Sequence, residues 1–115
     1  MIEVTYQESP AVRGVTLQVR GHSGRSQIGS DIVCSAVSIL TYTAASIFKA
    51  MSDDFNEPPL IRLERGDAEI SAVCKDEDSY GEALRVLLFA KTGYRLLQAS
   101  YPENVRLVEA EEALE

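Results

Sequence analysis

From Asp31 to Ser52 the chain contains neither glycine nor proline. Ala, Ile, Leu, Phe and Met recur there at helical spacing, and Lys49 is the only charge between residues 32 and 52. A run of this kind predicts one long α-helix. Val33, Val37, Leu40, Ala44, Ile47 and Met51 form an apolar stripe, which Ile32, Ala36 and Ile39 widen. With so little charge, much of the helix must be covered. Ser30 or Asp31 is the expected N-cap, and Pro58 and Pro59 stop the segment that follows.

The flanking segments read as strands and a second helix. Residues 2–7 (IEVTYQ) alternate, and residues 13–21 (RGVTLQVRG) alternate better. Val15, Leu17 and Val19 point one way, and Thr16, Gln18 and Arg20 the other. Pro10 marks the turn between these strands. Residues 60–74 suggest two strands around Gly66-Asp67. The first is less regular, because Leu60 and Leu63 stand an odd interval apart. Residues 76–100 predict a second helix, with Ala83, Leu87, Ala90, Tyr94 and Leu97 on one stripe and Gly93 weakening its end. A last strand covers 104–110, and 111–115 (EEALE) is an acidic tail that frays.

The predicted fold is therefore α/β (α+β) and two-layered, a mixed sheet with two helices in the order β-β-α-β-β-α-β. One domain spans 1–110, as suits 115 residues with 45% hydrophobic content. The long first helix has more apolar surface than one sheet covers, which predicts a homodimer. The net charge of −7 argues against direct nucleic-acid binding, since no Lys/Arg surplus exists to neutralise phosphates. No stretch approaches the roughly 20 apolar residues of a membrane span. The N-terminus lacks the basic start and apolar run of a signal peptide. The expected location is cytoplasmic, where Cys34 and Cys74 stay reduced.

Residues 21–40 (GHSGRSQIGSDIVCSAVSIL) hold the only histidine, His22, and one of the two cysteines, Cys34. A helix starting at Ser30 or Asp31 puts Cys34 in its first turn, where unpaired N–H groups and the helix dipole favour a thiolate. The same N–H groups could hold the oxyanion of an acyl intermediate. His22 is the one imidazole available as proton acceptor. Gly24 and Gly29 give the intervening loop two flexible points, so that it could open and close over a substrate. The plainer alternative is a core thiol and a structural histidine, and local arguments leave both open. Asp31 can cap the helix, orient His22, or do both. Ser38, one turn after Cys34, suits either a substrate groove or close packing. Cys74 ends a strand and reads as a filler. Two cysteines and one histidine without Cys-x-x-Cys spacing fall short of a zinc pattern, so no metal or other cofactor is expected.

The block Gly21, His22, six residues, Gly29, Ser30, Asp31, Ile32, Val33, Cys34, Ser35, Ala36, Val37, Ser38 resembles the ribosomal-processing cysteine protease family, Prp or YsxB-like. Chain length and element order agree along essentially the whole chain, but only this block is specific. The resemblance implies a homodimeric bacterial protease. Its substrate would be the short N-terminal extension of the twenty-seventh protein of the large ribosomal subunit. It implies Cys34 as nucleophile, His22 as general base, Asp31 as the supporting acid and Ser38 near the substrate. It also implies that Gly21 and Gly29 bound a loop that orders around substrate. Ser35 stands where alanine is usual. An acidic chain suits a basic ribosomal substrate. Two other readings stand beside this one: a non-catalytic ribosome-associated binding dimer, and a thiol-redox enzyme if the fold brings Cys74 to Cys34.

Overall fold

The computed structural model describes residues 1–22, 28–64 and 66–110, and the side chains among them except those of 28–31. Strand β1 (Ile2–Ser9) turns through a short 3-10 segment, Pro10–Val12, into β2 (Gly14–Arg20). Helix α1 (Ile28–Ala50) follows, then a second 3-10 turn at Ser52–Asp54. Strands β3 (Leu60–Glu64) and β4 (Asp67–Val73) precede helix α2 (Glu77–Ser100) and strand β5 (Val105–Ala110). The sheet order is β3-β4-β2-β1-β5. β1 and β5 run parallel and the other pairs antiparallel, so the sheet is mixed as expected.

Register follows the alternation. Tyr6 pairs with Leu17, and Leu17 with Ile70. These residues share one face with Ile2, Val4, Val15, Val19 and Val105, all buried. Ile61 and Leu63 join that core, which leaves Leu60 on the outer face and explains the odd interval in β3. The outer face is polar; Thr16 and Ser71 meet there at 3.1 Å between hydroxyl oxygens.

Helix α1 departs from the reading in two ways. It starts at Ile28, so Ser30 and Asp31 lie inside its first turn and neither is the N-cap. Its inner face is Val33, Val37, Thr41, Ala44, Ala45 and Phe48, whereas Ile32, Ile39 and Ile47 are exposed. A helix apolar on nearly every side gives periodicity no face to choose. Thr41 can turn inward because its hydroxyl is satisfied: it donates to the Val37 carbonyl at 2.8 Å and meets the Tyr94 hydroxyl at 2.7 Å. Residues Ile32–Ala50, with mean hydropathy 1.5, do reach the length and apolarity of a membrane span. That corrects the sequence estimate, although in this fold the segment is the helix that closes the core against the sheet.

Helix α2 buries Ala83, Leu87, Ala90 and Tyr94 as its spacing predicts. Asp76 caps it, accepting from the Ser79 backbone at 2.8 Å. Gly93 is a contact rather than a flaw, because a Cβ there would run into the Leu40 side chain of α1. At the outer edge, Glu109 of β5 receives Lys91 at 3.0 Å and Arg95 at 2.7 Å, and the Lys91 ammonium stands 4.0 Å from the Tyr6 ring centroid.

Hydrogen bonds from Arg95 and then Lys91 hold the Glu109 carboxyl below the usual glutamate range. A lowered folded pKa stabilises the protein above the unfolded value, about 4.3, and that contribution is lost as pH falls through the folded one. Glu109→Gln should therefore lower the urea midpoint at pH 7, and the gap to wild type should close towards pH 3. An equal gap at both pH values would contradict the assignment.

Candidate active site

The pairing of β2 with β4 puts Arg20 opposite Asp67, so the chain leaving β2 runs beside the β3–β4 turn. Gly21 donates its N–H to the Gly66 carbonyl at 3.0 Å. Its φ of +101° and the Met1 carbonyl that a Cβ would strike both require glycine. The Met1 nitrogen donates to the His22 carbonyl at 2.6 Å. The turn itself is braced. Arg62 reaches Asp67 at 2.7 Å, Glu69 at 3.2 Å and Glu64 at 3.4 Å, and Arg20 lies 3.6 Å from Asp67. The Arg62 hydrogen bond holds the Asp67 carboxyl below the usual aspartate range.

This end of the sheet and the first half of α1 enclose a cleft of about 510 Å³. His22 and Gly21 line it from the strand end; Cys34, Ser35, Ser38 and Tyr42 line it from the helix. Ile2, Val19, Val37 and Ala68 give it an apolar floor, and Glu64 and Asp67 form an acidic edge. His22 is exposed and Cys34 half-buried. The cleft therefore brings together His22, Cys34, Ser38 and Gly21.

Three expectations about the block fare differently. Cys34 is the seventh residue of α1 and lies beyond its first turn, since the helix opens at Ile28. The N–H groups without intrahelical partners belong to the first four residues, and the dipole fades within the first turn. Neither reaches Cys34 as the sequence suggested. Gly29 lies in that first turn rather than in a loop. Asp31 shares the turn, three residues before Cys34, and its side chain lies outside the described ones, as do Gly24 and the rest of residues 23–27.

Cys74 stands apart. It follows β4, six residues beyond Ala68, roughly 20 Å along the strand at about 3.3 Å per residue. It is fully buried, and burial pushes its thiol pKa up. No disulfide joins the two cysteines, and Cys74 is not among the residues that line the cleft with Cys34, so the thiol-redox reading gains no resolving thiol there. Among the described residues no cluster of His, Cys, Asp or Glu could hold a metal ion. The sequence reading missed the β3–β4 side of the cleft: Glu64, Gly66 and Asp67. Gly66-Asp67 registered there only as a turn signal.

The cysteine and the histidine thus share a cleft, within a specific sequence block. The family model described as cysteine protease Prp matches residues 1–106. The chain belongs to the Prp cysteine protease family. It is a cysteine protease. Solved structures agree in fold. One is the essential ribosomal processing protease Prp of S. aureus with a covalently linked product peptide. It has 24% identity and a TM-score of 0.74, covering 96% of this chain and 100% of that one. The same S. aureus protease with a substrate peptide matches at 22% identity, the same TM-score and the same coverage. SMU.848 of Streptococcus mutans matches at 19% identity and TM-score 0.74, covering 97% of this chain and 96% of that one. No curated protein matches the chain in sequence.

Proposed function

We propose that this Prp-family protease removes a short N-terminal extension from the twenty-seventh protein of the large ribosomal subunit, with Cys34 as nucleophile and His22 as general base. The observation that carries it is the shared cleft of His22 and Cys34 in a chain of this family. His22 takes the Cys34 proton. The thiolate attacks the scissile carbonyl, His22 protonates the leaving amine, and water releases the acyl-enzyme. Ser38 and Gly21 border the bound peptide beside the thiol. Asp31 supports the pair from the first turn of α1. The net charge of −7 draws in a basic ribosomal protein and disfavours nucleic acid. The enzyme works in the cytoplasm, where its thiols stay reduced. Thiol alkylation tests the pair: Cys34 should react with iodoacetamide at neutral pH faster than a peptide thiol. A rate no faster than the peptide's would remove the activated thiolate.

The working form is a homodimer. Ile39, Ile47 and Phe89 stand exposed around an apolar groove of about 360 Å³ between the outer faces of α1 and α2. Phe89 is 80% exposed, which a second copy would relieve. Sedimentation at micromolar concentration should give a dimer for the wild type and a monomer for Phe89→Glu. A monomeric wild type would refute the dimer.

A further inference from the structure

We infer that Gly66, at the β3–β4 turn, is the seat that positions the His22 imidazole, and so is a positioning residue for proton transfer. This rests on the reading of His22 as general base. A Cβ built on Gly66 would collide with Cε1 and Nε2 of His22 and press closely on Nδ1. The edge of the ring that carries both nitrogens therefore lies where any other residue at this position would place its side chain. The site asks for glycine a second time through its φ of +76°. A turn glycine needs only the second condition. The first ties this one to the ring.

The seat is fixed on both sides. The Gly66 carbonyl accepts the Gly21 N–H at 3.0 Å, which binds the turn to the residue before His22. The next residue, Asp67, is held by Arg62 at 2.7 Å and pairs with Arg20 across the strands. The imidazole thus rests on a turn that is hydrogen-bonded to Gly21 and adjoins the Arg20–Asp67 end of the β2–β4 pairing. The proton acceptor is set by a residue with no side chain, on a strand pair distant in sequence from the His–Cys block.

His22 is the only histidine, so its Cε1–H and Cδ2–H signals are the only imidazole resonances of the protein. In Gly66→Ala both signals should shift. In Gly81→Ala, where a Cβ meets nothing within 4 Å, they should not. Cleavage by Gly66→Ala should lose about 100-fold in kcat with KM nearly unchanged, the scale expected when a reacting group is misplaced by about 1 Å. A double-mutant cycle separates seat from backbone strain. Gly66→Ala should lower the urea midpoint less in the His22→Ala background than in wild type, because the ring that the new methyl would strike is gone. If Gly66→Ala folds only in that background, the collision is shown directly. Unmoved His22 signals, or equal midpoint losses with and without the ring, would overturn the proposal. If the signals and the cycle behave as expected while His22→Ala cleaves at the wild-type rate, the seat stands and the general-base assignment falls.

Discussion

Cys34→Ala should abolish peptide cleavage, and His22→Ala should lower kcat by about 10²–10⁴-fold, the range of a lost general base. The placement of Cys34 in α1 sharpens the second figure. In the first turn, the helix start would have shared the work of stabilising a thiolate. As the seventh helical residue, Cys34 sits beyond the unpaired N–H groups. In the proposed mechanism the imidazole is the group that takes its proton. His22→Ala should accordingly bring the iodoacetamide rate of Cys34 at pH 7 down to that of a peptide thiol. Both variants should keep the wild-type circular dichroism spectrum, because His22 is exposed and Cys34 only half-buried. A His22→Ala protein that retains the wild-type alkylation rate would show that another group activates the thiol.

Tyr94→Ala should produce the largest loss of stability, about 3–5 kcal/mol. Tyr94 is completely buried in α2, and its hydroxyl meets that of Thr41 on α1 at 2.7 Å. A domain of this kind has a total stability of only about 5–15 kcal/mol, so the variant should lose a large part of it in urea titration. Tyr94→Phe keeps the ring and removes only the bond to Thr41, costing about 1 kcal/mol. Thr41 retains the Val37 carbonyl as acceptor. Burial raises the Tyr94 pKa to about 12. The neutral hydroxyl is thus favoured by folding, and its contribution is lost only as pH rises past the unfolded value of about 10. Because Thr41 also lines the cleft, this pair ties the floor of the site to the opposite helix. Equal costs for Tyr94→Ala and Tyr94→Phe would mean that the ring does not carry the packing.

The strands were legible because each buries one face, so alternation in Val15, Leu17 and Val19 had a single reading. Helix α2 was legible for the same reason: its polar side is clear, and Asp76 marks its start. Helix α1 was legible as a helix but not in orientation. It carries apolar residues on both the sheet side and the outward side, and the spacing of Ile39 and Ile47 looks no different from that of Val33 and Val37. Its start was obscured by residue types that serve two positions. Ser and Asp are good caps, and both are also welcome in a first turn, so Ser30 and Asp31 could not fix the boundary to within three residues. Of the site, the block carrying His22, Cys34 and Ser38 was readable from a contiguous motif. The opposite wall was not. Glu64, Gly66 and Asp67 reach the cleft only through the β2–β4 register, a long-range pairing that local patterns do not encode.

The central claim is tested most directly by mass spectrometry of the host's full-length twenty-seventh large-subunit ribosomal protein after incubation with this enzyme. A shortened N-terminus with wild-type protein, and an intact one with Cys34→Ala, is the predicted result. An intact N-terminus with active wild-type protein, or equal trimming by Cys34→Ala, would contradict it.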